Sequence, residues 1–293
     1  MKRSCRDPEI LAFLDRMVFD LPVSVTGRLA GRHRSLLSGR SLEFAQHREY
    51  VPGDDLRYVD WKVYGRRDKL FIRQHRRETN LIAYLLVDRS LSMDFRATAP
   101  HTKFDYACTL AGYTAYVLLN QGDAVGLQYC DVAVELAYPP RSGRDRFEYI
   151  ARSCEGAACT NPGRLVDALS AALASVERRS LAVLFSDLAE AEDALLHVLR
   201  TAAAAGIRIL VVQVVDPAER DLSLRGDRIR FLDPEDVVPP VATARPEVQD
   251  VYRREFAAMV NRYAYELGAA GIPHLLASTD RPIRETLTRM LAV

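Results

Sequence analysis

No apolar run in the 293 residues approaches the roughly 20 that a helix needs to cross a bilayer, so no membrane-spanning role is expected. Cysteine is scarce: Cys5, Cys108, Cys130, Cys154 and Cys159 are odd in number and scattered. That pattern points to reduced thiols and not to a disulfide framework. The closest pair, Cys154 and Cys159, has no second pair or nearby histidine, which argues against zinc. Net charge is small, a formal +1 at pH 7, so nothing global draws the chain to nucleic acid or anionic lipid. The opening MKRSCRDPEI carries charges that no apolar core follows, unlike a signal peptide; the expected location is the cytoplasm. Repeats and low-complexity segments are also missing. With 48% hydrophobic and 27% charged residues, the chain has apolar material for a full-sized core. The length suits one large α/β domain with an appendage, or two modest domains.

Hydrophobic spacing places the elements. Ile10, Leu11, Leu14, Met17 and Val18 recur at helical intervals and predict an amphipathic helix over 7–19. From Gly27 to about Lys69 the pattern dissolves into charged, glycine-punctuated sequence, including a Pro52-Gly53 pair suited to a type II turn. Between Gly27 and Asn80 basic residues outnumber acidic ones about two to one. Residues 70–77 alternate like a half-exposed strand. Then the rhythm changes. LIAYLLV at 81–87, LAVLFS at 181–186 and the run at 207–215 are short and almost wholly apolar, as buried parallel strands are. Helical stripes over 103–119, 144–152, 164–176 and 189–205 separate them. Two runs at 124–130 and 132–138 suggest an antiparallel pair, and 228–232 an edge strand. A long helix over 245–270, a strand at 272–277 and a last helix over 281–291 complete the chain. This predicts a doubly wound, mostly parallel α/β sheet. The domain boundary is expected near Thr79, giving an irregular, β-rich appendage with its helix at 1–78 and the sheet domain at 79–293.

Ligands of such sheets bind beyond the carboxyl ends of the strands, where strand order reverses. Three of the buried runs end at acids: Asp88, Asp187 and Asp216. In Asp88-Arg89-Ser90-Leu91-Ser92, alternation in an extended turn aims three oxygens at one point, which suits a hard cation with oxygen ligands at about 2.1 Å. The ion expected is Mg²⁺, with Mn²⁺ or Ca²⁺ as alternatives. Two hydroxyls and one or two carboxylates leave it short of anionic charge, which a carboxylate from another molecule could supply. The same residues have a plainer reading: Ser90 and Ser92 as turn residues bonding backbone groups, and Asp187 as the cap of its own helix. Arg89 would compete with a cation if it turned inward, although alternation directs it away.

Asp-x-Ser-x-Ser after the first strand resembles the metal-ion-dependent adhesion site of von Willebrand factor A domains. That likeness implies two further ligands, and Thr160 in Cys159-Thr160-Asn161-Pro162-Gly163 and Asp187 in Ser186-Asp187-Leu188 match them in order. Thr160 or Asn161 could equally be a helix N-cap.

The stretch from Gly31 to Trp61 carries Gly31-Arg32-His33-Arg34-Ser35, Arg48-Glu49-Tyr50, Pro52-Gly53-Asp54-Asp55, Arg57 and Asp60-Trp61. It resembles the signature of the domain-of-unknown-function 58 family, in which it precedes a von Willebrand A-like domain. The likeness continues through Gly122-Asp123-Ala124-Val125-Gly126 and Val215-Asp216-Pro217-Ala218-Glu219, covering nearly the whole chain. It implies a MoxR-type AAA+ ATPase as partner, in complex assembly or metal insertion. Physically, Arg48, Asp54, Asp55, Arg57 and Asp60 alternate in sign. They read as an ion-pair network anchored by Trp61, or as a partner-binding face. His33, His47 and His75 are too dispersed for a metal site.

The reading is therefore a metal-dependent protein-binding module, not an enzyme. The partners expected are the ATPase, a client supplying a carboxylate, or both. A phosphohydrolase is the alternative on the same ion. However, Ser90 stands where an aspartyl phosphatase has its second Asp, and no lysine follows in the expected loop context. Nucleic-acid binding through the basic appendage is disfavoured, because its aromatics (Phe44, Tyr50, Tyr58, Trp61, Tyr64 and Phe71) are interspersed with acids that repel phosphate.

Overall fold

The computed structural model describes residues 4–19, 42–49, 71–77, 81–97, 99–130, 138–159, 164–189, 192–222, 228–231 and 241–292. The chain divides into one unit of Met1–Thr26 with Leu81–Val293, and a second of Gly27–Asn80. The smaller unit contains an antiparallel pair, β1 (Leu42–Glu49) and β2 (Phe71–Arg77), with Leu42 opposite Arg77 and Glu49 opposite Phe71. Strand β2 matches its alternating pattern. The irregular reading of residues 27–69 misses β1, where a register shift between Phe44 and Gln46 breaks the period-two signal.

The larger unit begins with a short helix, α1 (Pro8–Leu14), capped by the Asp7 side chain accepting from Glu9 N. The expected helix over 7–19 is thus shorter, and it does not belong with the appendage. Cys5, Leu14 and Phe19 are buried in the core of the sheet unit. Beyond the helix, Gln121 brackets Phe19, accepting from its N–H and donating to its carbonyl.

The remaining elements follow in sequence: β3 (Ile82–Asp88), α2 (Lys103–Asn120), β4 (Ala124–Cys130), β5 (Tyr138–Arg141), α3 (Asp145–Gly156), α4 (Leu165–Ala174), β6 (Leu181–Ser186), α5 (Glu192–Ala204), β7 (Arg208–Val215), α6 (Pro217–Asp221), β8 (Arg228–Phe231), β9 (Val241–Ala244), α7 (Arg245–Ala269), β10 (His274–Ser278) and α8 (Ile283–Leu291). Among the described residues six strands form one sheet in the order β10–β7–β6–β3–β4–β5. All pairs are parallel except β4 with β5. Most of the expected 132–138 strand lies outside the described residues. The segment at 228–232 is not an edge of this sheet: β8 pairs with β9, and the place beside β7 belongs to β10.

Strand alternation sorts the core into two layers. Ala83, Leu85 and Val87 of β3 pack with Leu110 of α2, Ile150 of α3 and Leu287 of α8, whereas Tyr84 and Leu86 pack with Leu169 of α4, Leu195 of α5 and Tyr263 of α7. The continuous apolar runs are thus explained by burial on both faces. Helix α2, after β3, covers one face, and α5, after β6, covers the other. Since β3 and β6 are neighbours, the chain's winding reverses between their carboxyl ends. Asp88 and Asp187 fall at that switch point. Among the described residues no helix is long and apolar enough to cross a membrane.

Candidate metal centre

Asp88 ends β3 on the face of Tyr84 and Leu86, and Ser186 ends the neighbouring β6 on the same face. Register sets Val87 beside Phe185, so the next residues are adjacent, and Ser186 Oγ donates to Asp88 Oδ2 at 2.5 Å. Asp88 Oδ1 accepts from Ser90 N at 2.9 Å. Residues Leu91–Asp94 form a 3-10 turn with Ser90 as its N-cap, closed by Met93 N donating to Ser90 O and anchored by the fully buried Met93. This turn, not the extended segment expected, brings the hydroxyls together: Ser90 Oγ and Ser92 Oγ share a 2.9 Å hydrogen bond. Ser90 is buried and Ser92 only partly so, which leaves the pair reachable from solvent.

The carboxyl of Asp88 is 1% exposed. Burial first, and then the negative charge of Asp187, push its pKa up to about 7, against hydrogen bonds from Ser186 and Ser90. The Asp88 carboxylate beside two clustered hydroxyls offers oxygen donors, which fits a hard divalent cation. Among the described residues no three His, Cys, Asp or Glu side chains could hold an ion. An ion at this edge therefore depends on Ser90 and Ser92. Arg89 is turned elsewhere, with its Nε donating to Ala158 O at 2.6 Å and its guanidinium 5.4 Å from the Tyr129 ring centre.

Asp187 follows β6 and faces α2. Its Oδ1 accepts from Ala189 N at 3.1 Å, and its Oδ2 accepts from Lys103 Nζ at 2.7 Å. Lys103 also donates to Glu219 Oε1 at 2.5 Å, and its side chain is 3% exposed. Burial alone would lower the lysine pKa, but Asp187 and Glu219 outweigh it and raise it, so the ammonium stays charged. Glu219 is fixed by a capping box: its Oε2 accepts from Asp216 N, while Asp216 Oδ1 accepts from Ala218 N. Asp216 Oδ2 also accepts from Ala97 N, securing the loop that leads to α2. Asp216 is therefore a scaffold residue. Behind Asp187, Gln213 donates to its carbonyl at 3.2 Å and accepts from His274 Nε2 at 3.0 Å. The next residue, Leu188, adopts φ 56°, a left-handed conformation that is rare for a bulky side chain. It is held there by a 3.0 Å bond from its N–H to Ser186 Oγ and by complete burial.

The structure thus gathers Asp88, Ser90, Ser92 and Asp187. Thr160 lies outside the described residues, as do Asp54, Asp55, Arg57, Asp60 and Trp61; Arg48 is on β1 opposite Ile72. Sequence reasoning missed Lys103, Ser186 and Glu219. A local signal existed for two of them. Asp216-Pro217-Ala218-Glu219 has capping-box spacing, and Lys103 opens a helix, where the positive end of the dipole disfavours a cation.

The profile of the family described as protein of unknown function DUF58 matches residues 46–263. The uncharacterised protein Rv1480 of Mycobacterium tuberculosis is 30% identical over 293 residues, covering 98% of this chain and 90% of its own. Among solved structures, the conserved hypothetical protein BatB from Bacteroides thetaiotaomicron aligns with a TM-score of 0.43 and 15% identity, over 73% of this chain and 100% of its own. The SpRpn10 VWA domain aligns with a TM-score of 0.41 and 12% identity, over 72% and 94%.

Proposed function

This chain belongs to the DUF58 family, and we propose that it is a metal-ion-dependent protein-binding module built on a von Willebrand A-like domain. The reading rests on one observation: the Asp88 carboxylate and the Ser90 and Ser92 hydroxyls converge at the switch point of the sheet, with Asp187 beside them. Ser90, Ser92 and Asp88 would hold the ion, with Thr160 as the further ligand that the family pattern implies. When bound, Mg²⁺ supplies an electrophilic position for a carboxylate on the partner. The chain's own residues do the rest. Ser186 and Ser90 N orient Asp88, the Met93 anchor sets the hydroxyls, and Asp187 contributes negative charge nearby.

We assign the partner to the MoxR-type AAA+ ATPases, with this chain as adaptor or co-chaperone in complex assembly or metal insertion. Hydrolysis of phosphate esters is the weaker reading. Lys103 does lie beside the second carboxylate, but its ammonium is committed to Asp187 and Glu219, and Ser90 still replaces the acid/base carboxylate. The test uses the purified full chain and a MoxR-type ATPase from the same organism. Association should require Mg²⁺, disappear with chelator, and be lost in Asp88→Ala with the fold intact. Association indifferent to both would sink the proposal.

A further inference from the structure

We propose that Lys103 is a specificity-determining residue of this site: by engaging Asp187 and Glu219 it withholds Asp187 from an ion held at Asp88, Ser90 and Ser92, and so reserves that ion's missing anionic ligand for a partner's carboxylate. This deepens the metal-dependent reading above and rests on it.

Asp187 accepts from Ala189 N at Oδ1 and from the lysine ammonium at Oδ2, whereas the donors to Asp88, Ser90 N and Ser186 Oγ, are neutral. The lysine is held from both sides. Its second carboxylate, Glu219, is locked into the cap of α6, and the ammonium lies 5.7 Å from the Phe95 ring centre. Its own N–H donates to Phe95 O, which fixes the start of α2. A buried ammonium is tolerated only when paired, and the first turn of a helix is an unfavourable place for one. Its position therefore follows from the carboxylates and not from the helix.

Charge carries the consequence. With Asp187 and Glu219 paired to the Lys103 ammonium, a divalent ion at the two serines faces Asp88 as a carboxylate with neutral hydrogen-bond donors and keeps a surplus positive charge. Were Asp187 released, the two aspartates would neutralise the ion, and an outside carboxylate would gain little. Residues in the outer shell of metal sites typically change affinity by about 10–100-fold, so the effect is measurable.

The experiment titrates Mn²⁺ alone into the full chain, with and without acetate as a carboxylate probe, and reads bound ion by electron paramagnetic resonance. Lys103→Met should bind Mn²⁺ roughly tenfold more tightly than the unmodified chain. It should also lose the tightening that acetate produces in the unmodified chain. Because that variant leaves Asp187 and Glu219 repelling each other, the charge-balanced Lys103→Met/Glu219→Gln pair provides the same test if the single variant does not fold. Mn²⁺ affinity equal to or below that of the unmodified chain in the folded variants, or acetate tightening that survives, overturns the inference. Asp88→Ala separates the two claims. If it abolishes Mn²⁺ binding while the Lys103 variants change nothing, the inference alone fails. If Asp88→Ala leaves Mn²⁺ binding intact, the metal reading fails with it.

Discussion

Ser186 on β6 donates its hydroxyl hydrogen to Asp88 on β3 at 2.5 Å, joining the two strands that flank the switch point. The same oxygen accepts from Leu188 N and so supports the left-handed turn after Asp187. Ser186→Ala would leave a buried N–H and a buried carboxylate oxygen without these partners, at a cost of about 1–3 kcal/mol. Urea unfolding should show a lower midpoint with an unchanged slope. An unchanged midpoint would mean that Ser186 does not hold this junction.

The N-terminal segment is tested at Gly112. A Cβ there would lie 2.5 Å from Cys5 Sγ and 2.8 Å from Cys5 Cβ, so Gly112→Ala forces the segment off α2 and should destabilise by about 1–3 kcal/mol. In a Cys5→Ala background the nearer clash is gone, and the penalty should shrink. A double-mutant cycle measures the coupling. Additive effects would show that Cys5 does not pack on α2.

Asp216 supplies the cap of α6 and holds Ala97 N. Asp216→Ala should cost about 0.5–2 kcal/mol and speed hydrogen exchange at Ala97 and Ala218. Exchange that stays slow at both amides would contradict its role as the strut of this loop.

His274 gives a pH signature. Burial lowers its pKa below the ordinary 6.5, so below pH 6.5 the unfolded chain takes up a proton that the native imidazole resists. The stability from this group is present above pH 6.5 and declines as pH falls below it. His274→Gln should flatten thermal stability against pH in that window. A slope identical to that of the unmodified chain would assign the dependence elsewhere.

The legible and the hidden parts of this protein differ in range. Runs such as LAVLFS at β6 announce themselves because both faces of the strand are buried, and Asp88, Ser90 and Ser92 lie within a single turn. Lys103 was hidden because its partners, Asp187 and Glu219, are 84 and 116 residues away. No local pattern carries such a pairing; its only trace is a cation at the wrong end of a helix. Strand β1 was hidden by its bulge. The helix expected over 7–19 stops at Leu14; beyond it Phe19 is buried from an irregular segment, while Val18 of the expected stripe is exposed. The metal set was legible as a list of residues. Their convergence through a 3-10 turn and Ser186 was not.

We propose above that Asp88, Ser90 and Ser92 hold a divalent ion. Crystals of the full chain soaked in Mn²⁺ and measured at the manganese absorption edge test it most directly. One anomalous peak is expected at coordination distance from Ser90 Oγ and Ser92 Oγ, beside Asp88 and absent from Asp88→Ala crystals. A bare edge after soaking, or a peak that ignores the three side chains, would contradict it.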